Sequence, residues 1–104
     1  MAKVQVSPRA QDDLVATKTY IEHDLCSPRA ALTVIAQITK RLRELRKFPD
    51  LGASLDSFID IHTDYRFLVC DSYTVFYRHV GEEVFVDRIL YGKRDFMKIL
   101  FGAQ

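Results

Sequence analysis

The sequence has few of the residues that cross-link small folds or build metal and redox centres. Cysteine occurs twice in 104 residues, and Cys26 and Cys70 form neither a CxxC pair nor a cluster with histidine. We therefore predict no metal or redox site, and we interpret both thiols as reduced packing residues. The sequence also lacks a glycine-rich phosphate loop and a nucleophile elbow, so we expect no cofactor.

Long apolar runs and an excess of one charge are also missing. No run approaches the ~20 apolar residues that a membrane-spanning helix needs. The N-terminus, from Met1 to Val6, has no apolar stretch typical of a signal peptide, so we expect a cytoplasmic protein that does not bind membranes. The formal net charge of +1 argues against a dedicated nucleic-acid-binding domain but is compatible with a local basic patch.

The residues that are present have the composition of one α+β domain covering residues 1–104. Hydrophobic residues make up 48% of the chain and charged residues 28%, as is usual for globular proteins. Lys3–Val6 alternates polar and apolar side chains and predicts a first strand. In two Ser-Pro pairs, Ser7-Pro8 and Ser27-Pro28, a serine whose hydroxyl can cap a helix stands directly before a proline. The first helical turn tolerates this proline. Each pair therefore predicts the start of a helix.

Two amphipathic helices are predicted after these starts. The first apolar stripe ends near Asp24, and the second ends before Pro49 and Gly52. Because the link between them is short, the two helices are expected to form an antiparallel hairpin. Asp12-Asp13 is interpreted only as a pair of acidic residues favoured near a helix N-terminus.

The apolar period then changes from helical to alternating. Tyr65–Cys70, Tyr73–His79 and Val84–Tyr91 are rich in aromatic and β-branched residues, which predicts a three-stranded antiparallel meander. The segment from Leu51 to Asp60 is predicted to be a loop. The expected order is therefore β-α-α-β-β-β, an α+β fold in which the helical hairpin packs on an antiparallel sheet. Asp95 to Leu100 is predicted to be a short tail, either a helix or a strand.

Two-residue turns at Asp71-Ser72 and Gly81-Glu82 would set the strand register, and the register decides which side chains share a face of the meander. Under this register the predicted pairs are Leu68 with Val75, Arg66 with Tyr77, Tyr77 with Val86, and Val75 with Arg88. One face would carry Arg66, Leu68, Cys70, Tyr73, Val75, Tyr77, Val86, Arg88 and Leu90. The other would carry Phe67, Val69, Thr74, Phe76, Arg78, Phe85, Asp87, Ile89 and Tyr91. A one-residue slip would invert one strand relative to its neighbour.

The phenylalanine face is predicted to lie under the helices. Burial of one phenylalanine contributes about 1.5–3 kcal/mol, so Phe67, Phe76 and Phe85 together dominate the choice of face. The opposite face carries two arginines among tyrosine and apolar side chains. It is expected either to be partly open and to bind a partner, or to be covered by the C-terminal tail.

Several short motifs occur in a specific order along nearly the whole chain. They are Ser7-Pro8-x-Ala10-x-x-Asp13-Leu14, Tyr20-Ile21, Pro28-x-Ala30-Ala31, Pro49-x-Leu51-Gly52, Tyr65-Arg66-x-Leu68, Tyr73-x-Val75-Phe76-Tyr77-Arg78 and Val86-x-Arg88-Ile89-Leu90-Tyr91-Gly92-Lys93-Arg94-Asp95. In this combination the chain resembles the RelE/ParE superfamily of toxins from type II toxin–antitoxin systems. The resemblance implies growth inhibition, a link to plasmid stabilisation, and a cognate antitoxin protein as partner.

The superfamily carries two mechanisms on one scaffold, and the fold does not choose between them. RelE-like members cut mRNA on the ribosome, whereas ParE-like members bind DNA gyrase without an established catalytic residue. Arg66 and Arg94 match the two arginines of the RelE pattern, but Leu100 stands where that pattern has a tyrosine, and no lysine lies between Pro49 and Tyr65. These departures, the long helical hairpin and the near-neutral charge favour a non-enzymatic, ParE-like toxin. The alternatives are a metal-independent mRNA endonuclease that uses Arg66 and Arg94, or a homologue that has lost activity.

Candidate functional residues follow from this resemblance and from the predicted open face. The residues expected to bind the antitoxin or the target are Arg66, Tyr77, Arg88, Tyr91, Lys93 and Arg94. His62 and His79 are interpreted as surface or packing residues and only secondarily as proton carriers. The basic cluster Lys40, Arg41, Arg43, Arg46 and Lys47 is interpreted as cations favoured near a helix C-terminus and on a solvated face. Contact of this cluster with DNA, RNA or an acidic antitoxin segment is the alternative.

Overall fold

A computed structural model of the protein describes residues 1–57, 59, 62–92 and 95–102. The elements are β1 (Lys3–Val6), α1 (Pro8–Thr19), a π-helical turn (Tyr20–Asp24), α2 (Pro28–Lys47), β2 (Ala53–Ser54), a 3₁₀ turn (Leu55–Ser57), β3 (Tyr65–Cys70), β4 (Tyr73–Val80), β5 (Glu83–Tyr91) and α3 (Phe96–Phe101). The predicted α+β order is confirmed, and the C-terminal tail is a helix. The short strand β2 lies in the segment that was predicted to be only a loop.

Both helices begin where the Ser-Pro pairs predict. The Ser7 hydroxyl accepts a hydrogen bond from the backbone N–H of Ala10 at 3.0 Å, and the Ser27 hydroxyl accepts one from Ala30 at 3.3 Å. Each proline occupies the first helical turn, where its missing N–H donor costs no helical hydrogen bond. Local side-chain chemistry therefore sets the start of each helix.

The sheet has the strand order β1-β5-β4-β3-β2. β1 runs parallel to β5. The three other pairs, β2–β3, β3–β4 and β4–β5, are antiparallel. The predicted pairs Leu68–Val75 and Arg66–Tyr77 are present, and so is Tyr77–Val86. The predicted pairing of Val75 with Arg88 is wrong, because Val75 lies opposite Ile89.

A β-bulge causes this difference. The register shifts between Phe76 and Tyr77, which pair with Arg88 and Val86, so Asp87 is an extra residue in β5. Beyond it the alternation is inverted relative to the prediction. Ile89 consequently joins the face of Val75, and Leu90 joins the face of Thr74.

The prediction that the helices cover the phenylalanine face is also wrong. The helical hairpin packs on the opposite face and forms a helix-side core. Its buried residues are Ala2, Ala10, Ile38, Leu42, Leu45, Leu68, Cys70, Tyr73, Val75, Tyr77, Val84, Val86 and Ile89. The phenylalanine face forms a tail-side core of Leu55, Phe67, Phe76 and Leu90, covered by Ile59, Tyr65, Phe96, Ile99, Leu100 and Phe101. The C-terminal segment brings its own aromatic and aliphatic side chains, so this face does not need the hairpin.

The cysteine prediction is confirmed for only one residue. Both thiols are free, but Cys70 is buried in the helix-side core whereas Cys26 is exposed at the link between the helices. Among the described residues, no helix combines the length and apolar character needed to cross a membrane.

Candidate functional site

An open groove of about 920 Å³ lies between the C-terminal end of α1 and the C-terminal end of β5. Its apolar and aromatic lining comes from the π-helical turn and the residue after it, from the sheet, and from one residue each of α2 and α3. The main contributors are Tyr20, Ile21, Leu25, Val34, Tyr73, Leu90, Tyr91 and Ile99. Tyr20, Leu25 and Tyr91 are each at least half exposed. Exposed aromatic and aliphatic side chains around a concavity are typical of a surface that binds another protein.

The groove exists because β1 is short. It pairs with β5 only from Glu83 to Val86, so the following half of β5 has no neighbouring strand on that side among the residues that the structure describes. α1 leaves the sheet at this point, since the Ser7 backbone N–H and hydroxyl donate to the carbonyl oxygens of Val86 and Asp87. The C-terminal edge of β5 therefore forms one wall of the groove.

Asp13 on α1 closes part of this open edge. Its carboxylate accepts hydrogen bonds from the Ile89 backbone N–H at 2.9 Å and from Arg88 Nε and Nη2 at 2.8 and 2.9 Å. The hydrogen bond to Asp13 raises the pKa of Arg88, and this outweighs the lowering by burial. Arg88 therefore belongs to a two-pronged ion pair that holds α1 against β5.

The π-helical turn shapes the opposite wall. A π-helical turn is uncommon, and such turns often occur at functional sites. Here the Leu25 N–H donates to the Tyr20 carbonyl, and Cys26 closes the turn with a positive φ of 51°. Ile21 points into the protein while Tyr20 and Leu25 remain exposed. The turn therefore presents two large side chains at the groove.

Tyr73 and Tyr91 form the floor of the groove. They are paired across β4 and β5, and their rings meet edge to face with centroids 5.5 Å apart. Burial raises the pKa of Tyr73, which lies in the helix-side core. Tyr91 remains 59% exposed. The buried ring thus supports the exposed one.

Arg66 lies in a different cluster, where the loop after α2 meets β3 and β4. Arg66 Nη1 donates to the Gly52 carbonyl at 2.7 Å, and Arg66 Nε lies 3.3 Å from Asp50 Oδ1. His79 Nδ1 is 2.9 Å from the same Asp50 oxygen. The hydrogen bond with His79, opposed by burial and reinforced by Arg66, lowers the pKa of Asp50. The cluster ties the loop to the sheet.

Tyr77 completes this junction from inside. It is fully buried, and its hydroxyl accepts a hydrogen bond from the Gly52 N–H at 2.8 Å. Burial raises its pKa. A Cβ atom at Gly52 would lie 2.5 Å from the Phe67 carbonyl oxygen, so only glycine fits here. Tyr77 offers no surface to a partner and acts in packing.

The predicted binding residues are therefore not assembled on one open face. Arg66 and Tyr77 share the helix-side face, Arg88 is held by Asp13, and Tyr91 is exposed in the groove. Lys93 and Arg94 lie outside the described residues. The sequence did not predict Tyr20 and Leu25 as groove residues, nor Asp13 as a hydrogen-bond acceptor at the open edge of β5. Asp13 stands in one of the motifs, but its partner is 76 positions away in the chain.

A helical hairpin on a mixed sheet, with an open groove lined partly by aromatic side chains beside it, defines a small α+β fold. No group of histidine, cysteine, aspartate and glutamate within the described ranges is arranged to hold a metal ion. The sequence profile of the ParE toxin of type II toxin–antitoxin system, parDE, matches residues 4–96, and the chain therefore belongs to this family.

A solved structure shares the fold. The structure titled "Chromosomal ParDE TA system from P. aeruginosa" superposes with a TM-score of 0.74 over 88% of this chain and 97% of that chain. The two sequences are 22% identical, so this likeness concerns the fold. A comparison with curated proteins gives no match.

Proposed function

We propose that this protein is the growth-inhibiting toxin of a type II toxin–antitoxin module, and that it acts in the cytoplasm by binding DNA gyrase. The observation that carries the proposal is membership of the ParE toxin family across residues 4–96. The toxin acts by binding, without a catalytic step. Arg66 is paired with Asp50 and with the Gly52 carbonyl. This pairing supports the view, because a nuclease would need the Arg66 guanidinium to contact a phosphate.

A cognate antitoxin neutralises the toxin by filling the groove beside β5. The groove offers exposed aromatic and aliphatic anchors, which suit the apolar face of a helix or an extended segment. Tyr91 is the central contact, and Lys93 and Arg94 follow it in the chain. Arg88 contributes to binding indirectly by holding α1 against β5 beside the groove, whereas Arg66 and Tyr77 hold the loop after α2 to the sheet in the separate cluster.

Two assays with purified protein test the mode of action. Gyrase supercoiling should be inhibited, whereas translation in a cell-free system should be unaffected. Expression of the chain alone should arrest growth, and co-expression of the antitoxin encoded beside it should restore growth. Inhibition of translation with supercoiling intact would contradict the proposal.

The groove is tested by replacing its exposed aromatic residues. Tyr20→Ala together with Tyr91→Ala should weaken antitoxin binding at least tenfold in calorimetry, because exposed tyrosines in a concave interface often dominate affinity. Leu32→Ala is the matched control, since Leu32 is a large exposed apolar residue outside the groove. Equal affinities of the two variants would remove the groove as the antitoxin site.

One observation favours the endonuclease alternative. His79 has its Nδ1 held by Asp50 beside Arg66, an arrangement that orients the ring and leaves Nε2 for proton transfer. Under this alternative Arg66 and Arg94 stabilise the phosphate charge. His79→Gln would then abolish mRNA cleavage while antitoxin binding persists. Under the gyrase proposal the same variant keeps its inhibition of supercoiling.

A further inference from the structure

The C-terminal half of α2 carries a concentration of positive charge. The segment from Lys40 to Lys47 contains five basic residues and one acidic residue in a chain whose formal net charge is +1. The rest of the chain is therefore net acidic, and the positive field is local.

Most of these cations have no ion-pair partner among the residues that the structure describes. Arg41 pairs with Glu44 at 3.1 Å. Lys40, Arg43 and Lys47 are exposed and make no such contact within the described part of the chain. We call these three residues the basic stripe. Their spacing of three and four positions aligns them on one side of the helix.

The basic stripe lies on the side of α2 away from the sheet. The residues of α2 that enter the helix-side core are Ile38, Leu42 and Leu45, which lie on the opposite side at helical spacing. From Lys40 to Lys47 the stripe spans roughly 10 Å along the helix axis. No large apolar side chain stands among its members.

The helix dipole does not explain the whole stripe. Its attraction for cations falls off within the last turn of a helix. α2 ends at Lys47, so Lys47 gains from this effect, whereas Lys40 stands about two turns earlier. Lys40 and Arg43 therefore gain little from the helix dipole.

We propose that the basic stripe binds the phosphate backbone of duplex DNA. Each DNA strand carries one phosphate per about 3.4 Å of helix axis, so a stripe of this length can face two or three phosphates. A protein partner would need apolar anchors at the centre of its interface, and single-stranded nucleic acid would need aromatic stacking platforms. The stripe itself contains neither, and the exposed Phe48 that follows Lys47 is a single ring, whereas phosphate contacts require only exposed cations.

The contact is weak and independent of base sequence. With two or three neutralised phosphates, the logarithm of the association constant should fall with the logarithm of salt concentration with a slope of about −2 to −3. The expected dissociation constant at low salt lies on the order of 10⁻⁵ to 10⁻⁴ M, in the range of non-specific binding. Such a contact would hold the toxin close to a target that itself works on DNA.

The experiment measures the anisotropy of a fluorescent duplex of arbitrary sequence over a salt series. Lys40→Gln with Arg43→Gln should weaken binding about tenfold and reduce the salt slope by about 2. Arg9→Gln with Lys98→Gln is the matched control, because it removes the same charge from exposed positions elsewhere. Urea unfolding of both variants establishes that each is folded.

Three results would overturn the proposal: equal DNA binding by the two double variants, tighter binding of duplex RNA than of DNA, or loss of antitoxin affinity in the stripe variant with DNA affinity unchanged. The last result would assign the stripe to an acidic protein segment. The assay involves neither gyrase nor a growth readout. A negative result would therefore overturn the DNA contact without affecting the proposed function.

Discussion

The two faces of the sheet are covered in different ways. On the helix-side face, two long helices bury Ile38, Leu45 and Val75 completely. On the tail-side face, the six-residue helix α3 has no fully buried residue. One face therefore provides the folding core, while the other is held by fewer and more exposed contacts.

Aromatic and polar contacts hold the tail-side face. Phe96 stacks on Phe76 with ring centroids 5.5 Å apart, and Phe101 meets Tyr65 edge to face at 5.6 Å. Beside them the bulge residue Asp87 accepts hydrogen bonds from the Tyr65 hydroxyl at 2.7 Å and from Arg78 Nε at 3.0 Å. The bulge residue therefore provides a carboxylate that links Tyr65 and Arg78 on this face.

Truncation in the helix-side core should have the largest effect. Leu45→Ala should lower the free energy of unfolding by about 3 kcal/mol, since Leu45 is fully buried and its removal leaves a cavity between α2 and the sheet. Urea denaturation measures the loss. Leu32→Ala on the exposed side of the same helix should cost less than about 0.5 kcal/mol. Similar losses for both would mean that α2 does not form the main core.

Loss of Asp13 should come second. Asp13→Ala would leave the Arg88 guanidinium and the Ile89 N–H without their shared acceptor at a mostly buried position. We expect a loss of about 2–3 kcal/mol, below the full value for a buried pair because Arg88 is partly exposed. Asp12→Ala, at an exposed neighbour, is the control for charge alone. An equal effect of both variants would show that the edge contact contributes nothing.

Truncation on the tail-side face should cost less than either change. Phe96→Ala should lower the free energy of unfolding by about 1–2 kcal/mol, because the half-buried ring loses its stack on Phe76 while solvent already reaches α3. Hydrogen exchange should show faster opening of α3 with α2 unchanged. A loss as large as that of Leu45→Ala would erase the distinction between the two faces.

Local signals predicted much of the fold, because they depend on neighbours in the sequence. The Ser-Pro pairs gave both helix starts, and the alternation gave β3, β4 and β5 nearly to their ends. The bulge at Asp87 carries no such signal, since no glycine or proline accompanies it. It reversed the faces of the four residues that follow, Arg88 among them.

The choice of face and the groove depend on distant contacts. Both faces of the meander are apolar enough to be covered, so the strand sequences alone do not decide which face the hairpin takes. The groove arises from the short β1, the π-helical turn and the Asp13 contact to β5, which are far apart in the chain. Of the predicted site residues, Tyr91 alone combines exposure with a place in that groove among those described.

The smallest effect concerns the ionisation of Tyr65 on the tail-side face. Burial, followed by the hydrogen bond to Asp87 and the charge of that carboxylate, raises the pKa of Tyr65 from 10.0 to about 12. The unfolded chain therefore loses this proton near pH 10 while the folded chain retains it. The stabilisation is complete below pH 10 and is lost as the pH rises towards 12. Tyr73 and Tyr77 also have raised pKa values, so the readout is the amplitude of the phenolate absorbance near pH 12, which should fall in Tyr65→Phe and be kept in Tyr91→Phe. An amplitude near pH 12 that Tyr65→Phe leaves unchanged would mean that the Asp87 cluster does not close this face.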